Sequence, residues 1–127
     1  MSTSRLDRVA LFCRWAFWGL LVAVSIALLR PEPIAVRDEL VPEEGRFHAA
    51  KAFHVLGYGL LTVLASTGYP RQGVLVASGL VAHGALVEII QPHVGRNGTV
   101  TDVAFDAVGV LLGHWLSRSL KSRRPAP

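Results

Sequence analysis

Cysteine and charged residues are both scarce in this chain. Cys13 is the one cysteine among 127 residues, so neither an internal disulfide nor a cysteine-rich metal site can form. Charged residues make up 17% of the chain and hydrophobic residues 51%, and the mean hydropathy is +0.41. Such a composition is too apolar for a soluble domain of this length. It predicts a membrane protein with a single domain, residues 1–127.

Several common functional motifs are also absent. The sequence contains no Gly-x-Ser-x-Gly, no His-Glu-x2-His and no P-loop, which disfavours the standard hydrolase, protease and nucleotide-binding classes. The formal net charge is +4, but the basic residues lie at the chain ends and between apolar runs. Because that distribution is typical of a membrane protein's orientation signal, we expect no nucleic-acid partner. We assign no cofactor from the sequence.

Four apolar runs cover residues 9–29, 52–67, 73–90 and 100–116. As helices, runs of about 16 to 21 residues would extend about 24 to 31 Å, close to the thickness of a hydrocarbon core. They are apolar on nearly every face and lack the polar stripe of a surface helix. The sequence therefore predicts an all-α fold, an integral membrane four-helix bundle. Its prolines and glycine predict a mostly irregular outer loop at residues 30–50.

The positions of lysine and arginine favour one orientation of this bundle. If the N-terminus is cytoplasmic, eight basic residues fall on the inner side and five on the outer side, as the positive-inside rule requires. The inner set is Arg5, Arg8, Arg14, Arg71, Arg118, Lys121, Arg123 and Arg124, and the outer set is Arg30, Arg37, Arg46, Lys51 and Arg96. We therefore expect both termini in the cytoplasm, with residues 118–127 as a basic tail.

Polar side chains recur near one boundary of three of these runs. They are Lys51, His54 and Tyr58 in the second run, Glu88 and Gln91 in the third, Arg96 in the turn after it, and Asp102 and Asp106 in the fourth. Their spacing of three or four residues places them on one face of each helix. Ionisable groups within a membrane span are costly and commonly mark a site. The topology brings all of these side chains to the outer boundary.

Two interpretations of these residues are evenly matched. In the structural one, Arg96 or Lys51 pairs with the carboxylates and holds three helices together. In the functional one, the residues form an outward-facing pocket for a polar headgroup or phosphate, in which cations bind the anion and His54 with a carboxylate transfers a proton. The candidate catalytic residues are then His54, Glu88, Asp102 and Asp106, and the candidate binding residues are Lys51, Tyr58, Gln91 and Arg96.

Metal coordination is a third and weaker interpretation. His54, Glu88, His93, Asp102 and Asp106 have suitable ligand types, but their spacing is not diagnostic of a metal site. We therefore assign no metal from the sequence.

Other residues inside the runs have simpler expected roles. His83 and His114 lie far from the polar group and are expected to be buried hydrogen-bonding residues. Gly109-x3-Gly113 is a pair of small residues that would let another helix approach closely. We expect this pair to pack within the bundle rather than form a dimer interface, and the sequence sets no oligomeric state.

Three blocks of the sequence form a recognisable pattern. They are Lys51-x2-His54-x3-Tyr58, Gly84-x3-Glu88-x2-Gln91, and Gly95-Arg96 followed by Asp102, Gly109 and Gly113. In these blocks, which span about half the chain, the sequence resembles the VanZ-like family of small bacterial membrane proteins, named for a protein associated with low-level resistance to the glycopeptide teicoplanin. The resemblance implies a multi-pass protein of the bacterial inner membrane that acts in the cell envelope.

The sequence departs from the family pattern at two positions. Ala50 stands where the family usually has Asp before the lysine, and Asp106 stands where it usually has Asn. An outer acid would thereby be exchanged for a deeper one. This exchange suggests the hypothesis that Asp106 replaces the missing acid as the partner of Lys51.

The functional expectation combines the polar residues with the resemblance. The outer pocket is expected to bind, or act on, an amphiphilic envelope component such as a membrane lipid, a lipid-linked precursor or a glycopeptide, with a link to teicoplanin resistance. The alternatives are a non-catalytic scaffold whose polar residues only hold the helices together and a metal-assisted lipid hydrolase. Whether the protein is an enzyme stays open at this point.

Overall fold

Four α-helices make up nearly all of the computed structural model, which describes residues 3–31 and 41–122. The helices are α1 (Thr3–Leu29), α2 (Glu43–Gly68), α3 (Gly73–Ile90) and α4 (Val100–Ser122), and a 3-10 turn, Gln91–Val94, follows α3. These two segments contain no β-strand. The prediction of an all-α fold is confirmed.

Three of these helices are long and apolar enough to cross a membrane. The spans are Ser4–Leu29, Glu43–Gly68 and Gly73–Val94. Large apolar side chains cover the outside of the bundle: Phe12 on α1, Leu56 on α2, Leu75 on α3 and Leu111 on α4 are each 69–70% exposed. A protein with this apolar exterior needs a membrane or a partner to cover it. The chain therefore has the character of a membrane protein.

The fourth helix is not among the helices that qualify as a membrane span. Asp102 and Asp106 lie in its first two turns. The fourth membrane crossing therefore stays a prediction.

The second helix begins earlier than its apolar run. It starts at Glu43, whereas the run starts at residue 52, so residues 43–50 are helical and the expectation of an irregular loop there was wrong. Pro42 immediately precedes the first turn, where Glu43 and Glu44 lie, and acidic residues at this position interact favourably with the helix dipole. Gly45 is accommodated in the same turn. Residues 32–40, the rest of the expected loop, lie outside the described residues.

The other helix boundaries also extend beyond the apolar runs, except for α3, whose limits match. The first helix begins at Thr3 rather than residue 9. The fourth continues to Ser122, and the Lys121 ammonium donates a hydrogen bond to the Ser66 carbonyl at 3.1 Å. The first part of the expected tail, residues 118–122, is thus helical and partly attached to α2. The remaining tail, residues 123–127, lies outside the described residues.

Glycines on α4 bring this helix into close contact with α2. A Cβ atom at Gly109 would collide with the backbone carbonyl of Val55, and a Cβ atom at Gly113 would collide with that of Gly59. Neither carbonyl can move away without displacing its helix. The prediction that the Gly109-x3-Gly113 pair packs within the bundle is confirmed.

The opposite end of the bundle joins α1 to the turn between α2 and α3. Arg14 Nε donates a hydrogen bond to the Gly68 carbonyl at 2.7 Å, and its guanidinium lies 5.1 Å from the centre of the Tyr69 ring. Trp18 Nε1 donates to the Tyr69 hydroxyl at 3.0 Å. These contacts fix α1 along α2 and therefore set where its C-terminal end meets the polar residues.

The glycine packing predicts that two glycine-to-alanine substitutions have opposite effects on the stability of the protein. Gly113→Ala should destabilise the protein by about 1–3 kcal/mol because the added methyl group overpacks the contact with α2. Gly79→Ala is the control: nothing lies within 4 Å of a Cβ atom there, so the better helix propensity of alanine should stabilise by up to about 1 kcal/mol.

Thermal unfolding of both variants in detergent tests this packing. Equal midpoint shifts of the same sign would contradict the close contact of α4 with α2.

Candidate functional site

The C-terminal ends of α1 and α3, the N-terminal half of α2 and the start of α4 meet at the polar residues predicted from the sequence. Gln91 Nε2, at the end of α3, donates a hydrogen bond to the Leu28 carbonyl at the end of α1, at 3.1 Å. Ion pairs and hydrogen bonds described below join α2 and α3 to the start of α4. The expected clustering at one boundary is therefore observed. We call Lys51, His54, Glu88, Asp102 and Asp106 the polar cluster.

Two pairs of side chains join α2 to α4. The Lys51 ammonium forms an ion pair with Asp102 Oδ1, and His54 Nδ1 hydrogen-bonds to Asp106 Oδ1 at 2.7 Å. His54 Nε2 also lies 4.0 Å from Asp102 Oδ2. The second pair lies deeper, since His54 is 6% exposed and Asp106 only 1%. The helical repeat explains the arrangement, because each member of the deeper pair follows its shallower neighbour by one turn.

The hypothesis that Asp106 is the partner of Lys51 was wrong. Lys51 pairs with Asp102, and Asp106 pairs with His54. Because Asp106 lies one turn deeper on α4, it is level with His54 rather than with the lysine at the mouth of the bundle.

Glu88 has a backbone partner instead of the cation expected from the sequence. Its Oε2 atom accepts the Thr99 backbone N–H at 2.7 Å and thereby ties the end of α3 to the start of α4. The Oε1 atom is buried and finds no hydrogen-bond partner among the described residues. Gly98 permits this turn, since a Cβ atom there would collide with the Glu88 carbonyl. Among the described residues, no ion pair joins Glu88 to Lys51 or Arg96, which the structural interpretation of the sequence had allowed.

The turn between α3 and α4 positions Arg96. Gly95 adopts a left-handed backbone conformation with φ 78°, which glycine takes at no steric cost, and the Arg96 N–H then donates to the Gln91 carbonyl at 2.9 Å. The Arg96 guanidinium reaches the Arg30 carbonyl at 3.4 Å. Within residues 3–31 and 41–122, no ion pair joins Arg96 to a carboxylate of the polar cluster. Of the two cations that the structural interpretation named, Lys51 is the one that pairs with a carboxylate there.

Tyr58 belongs to a separate hydrogen-bonded chain that crosses the bundle. Its hydroxyl lies 2.9 Å from His83 Nδ1, and His83 Nε2 lies 3.0 Å from Ser25 Oγ. Because Ser25 donates its own proton to the Leu21 carbonyl at 2.7 Å, it accepts one from His83 Nε2, which leaves Nδ1 to accept from Tyr58. His83 is thus a hydrogen-bonding residue, as expected. It is nevertheless linked to the predicted site residues through Tyr58, which the sequence interpretation missed.

A cleft opens beside the polar cluster, between α1, α2 and the turn before α4. It has a volume of about 140 Å³ and is lined by Ala27, Leu28, Ala49, Ala50, Phe53, His54 and Arg96. Most of this wall is apolar, and His54 and Arg96 supply its polar atoms. Of the four candidate binding residues, Arg96 lines the cleft. Tyr58 and Gln91 are instead buried at 0% and 2% exposure and connect helices.

Three of the five metal-ligating candidates come together. His54, Glu88 and Asp102 each offer one ligand atom, and these atoms lie within 4.8 Å of one another. Asp106 contacts the other nitrogen of His54, and His93 is exposed and bonds to the Ile89 carbonyl. The sequence alone could not select this trio, because its members come from three different helices.

Comparisons of the chain with family models, with curated proteins and with solved structures produce no match. The resemblance to the VanZ-like family therefore rests on the three sequence blocks alone.

The polar cluster predicts a strong coupling between Lys51 and Asp102. Both are largely shielded, at 15% and 13% side-chain exposure. Lys51→Met or Asp102→Leu alone should therefore destabilise the protein by about 2 kcal/mol or more. Breaking a fully buried pair would cost about 3–5 kcal/mol. The double variant should recover most of that loss, because no unpaired charge is left.

Chemical or thermal unfolding in detergent with a chelator present measures this cycle. Lys121→Met is the matched control, since Lys121 bonds to a carbonyl rather than a carboxylate and its loss leaves no charge behind. Additive single-variant effects would show that the pair does not couple the helices.

Proposed function

We propose that this chain is a VanZ-like protein of the bacterial cell envelope, and that its cleft binds the anionic polar group of a membrane lipid or lipid-linked precursor. The cleft itself is the observation that carries this proposal. Its apolar wall, with Leu28 and Phe53, suits a lipid chain, and Arg96 supplies a guanidinium that matches the geometry of a phosphate or carboxylate. A ligand with one apolar and one anionic part is an amphiphile.

The proposed topology has α4 as a fourth membrane span and both termini in the cytoplasm. Asp102 and Asp106 bond to α2, so they do not place charge on the outer surface of α4. That surface instead carries exposed Leu111, Leu112 and Trp115. Together with the distribution of lysine and arginine, this supports a multi-pass protein of the inner membrane with the cleft at its outer end.

The size of the cleft favours a lipid over a glycopeptide as the ligand. Sites for drug-sized molecules measure about 300–1,000 Å³, and this cleft has about 140 Å³. It accommodates a phosphate group and a short part of a chain. An effect on teicoplanin susceptibility would then arise through the envelope component rather than through binding of the antibiotic.

A non-catalytic scaffold is the second candidate function. The specific observation that favours it is that Lys51–Asp102 and His54–Asp106 both connect α2 with α4, as interhelical contacts would. In a pure scaffold the cleft has no ligand, so changes to its lining that preserve the fold leave the protein's activity intact.

Lipid retention by two arginine variants tests the proposed binding. Arg96→Gln should weaken retention of an anionic phospholipid such as phosphatidylglycerol about tenfold, because a hydrogen bond to a charged group contributes about 1.5–3 kcal/mol. Arg71→Gln, on the turn at the opposite end, is the matched control and should retain the lipid like the unchanged protein. Native mass spectrometry of the purified protein measures both.

A zwitterionic phospholipid provides the second comparison, and its retention should change little in either variant. Equal loss of the anionic lipid from Arg96→Gln and Arg71→Gln would assign the retention to general charge. It would leave the scaffold as the better description.

A further inference from the structure

We propose that His54, Glu88 and Asp102 form a binding site for one divalent transition-metal ion of the zinc type, between α2, α3 and the start of α4. One oxygen of Glu88, Oε1, is buried there and has no hydrogen-bond partner among the described residues. The site does not depend on the proposed lipid binding, because the three residues are brought together by the helices alone.

The three side chains are close enough to share an ion. One ligand atom from each lies within 4.8 Å of the others, and His54 Nε2 lies 4.0 Å from Asp102 Oδ2. Two ligands of a tetrahedral zinc ion are about 3.4 Å apart, given metal–ligand distances of about 2.0–2.2 Å. The observed separations therefore exceed the spacing in a bound site by at most about 1.4 Å.

Each of the three residues has one polar atom engaged and one left over. Asp106 bonds to His54 Nδ1, Lys51 pairs with Asp102 Oδ1, and the Thr99 N–H bonds to Glu88 Oε2. The atoms left over are His54 Nε2, Asp102 Oδ2 and Glu88 Oε1. Glu88 is 7% exposed, and its Oε1 atom accepts no hydrogen bond within the described part of the chain. A buried carboxylate oxygen without a partner is the atom that a bound cation would satisfy.

The hydrogen bond between Asp106 and His54 resembles the bonds that orient ligating histidines in metal sites. Histidines that ligate metals almost always hydrogen-bond through their other ring nitrogen, often to a carboxylate. Here the Asp106 carboxylate holds Nδ1 at 2.7 Å, which fixes the ring and directs Nε2 toward Asp102. The deep position of Asp106, at 1% exposure, keeps this orientation rigid.

The charge of the polar cluster also calls for a cation. The cluster contains three acidic side chains, Glu88, Asp102 and Asp106, and one lysine, Lys51. Arg96 is directed at the Arg30 carbonyl instead. Negative charge in a shielded site is costly unless it is paired, and one divalent ion balances this group.

The donor set determines which ion fits. One imidazole nitrogen and two carboxylate oxygens suit zinc and its neighbours, whereas magnesium and calcium prefer oxygen ligands alone. Three protein ligands leave a fourth position open. Because His54 also lines the cleft, that position is adjacent to the space where a water molecule or an anionic group would lie.

Metal binding to the purified full chain, carried on a tag without histidine, tests the site. After chelator treatment and loading with Zn²⁺, the unchanged protein should hold one zinc ion per chain by elemental analysis. Glu88→Gln should bind zinc at least tenfold more weakly, and Asp106→Asn should bind it about 10–100-fold more weakly. His93→Gln is the control and should bind like the unchanged protein.

Several outcomes would overturn the assignment. They are the absence of stoichiometric zinc in the unchanged protein, equal affinity in the Glu88→Gln and His93→Gln variants, and a preference for Mg²⁺ or Ca²⁺. Arg96→Gln should keep its zinc even if it loses lipid, so failure of the metal site and failure of the lipid site give different results.

A measurement on the unchanged protein covers the case in which Glu88→Gln does not fold. X-ray absorption at the zinc edge should show one imidazole ligand with oxygen ligands. Two imidazoles or a sulfur ligand would overturn the proposed donor set.

Discussion

The requirement that a polar group inside an apolar bundle find its partner within the bundle governs this structure. Asp106 is almost completely buried, and its Oδ1 atom hydrogen-bonds to His54, while its Oδ2 atom has no hydrogen-bond partner among the described residues. This pair fixes the register of α4 on α2. That register in turn aligns Asp102 with Lys51 one turn nearer the mouth. The positions of Glu88 and Arg96 follow, because the turn between α3 and α4 must reach the start of α4.

Glycines, which have no side chain, are as important to this arrangement as the polar residues. A Cβ atom at Gly84 would collide with the Asp106 carboxylate, and Cβ atoms at Gly109 and Gly113 would collide with the α2 backbone. The glycines therefore let α4 approach both α2 and α3 closely enough for His54, Glu88 and Asp102 to lie within one small volume. Three glycines in the blocks that resemble the VanZ-like family, Gly84, Gly109 and Gly113, thus have a direct steric reason for their identity.

The amount that could be predicted from sequence differs between the fold and the site. Hydropathy identified four helices, and the spacing of Lys51 and His54 placed them on one face of α2. The start of α2 at Glu43 could not be read from apolar residues, because its first turns are polar and are set by Pro42 and two glutamates. The partner of Lys51 could not be predicted from the sequence either. Whether Lys51 pairs with Asp102 or Asp106 depends on how α4 is positioned along α2, and the packing of the α4 glycines against α2 sets that position.

Ala50 and Asp106, the two positions at which the sequence departs from the pattern it resembles, both affect the charge near the cleft and the polar cluster. Ala50 lines the cleft, so the missing acid leaves Arg96 as the charged residue among the described residues of that wall. Asp106 lies at the floor, where an Asn could still hydrogen-bond to His54 but would add no negative charge. Relative to the pattern that the sequence resembles, negative charge is thus absent beside the cleft and present at the floor of the bundle. The cleft thereby becomes better suited to an anion and the floor to a cation, which is the division of roles that the two proposed sites require.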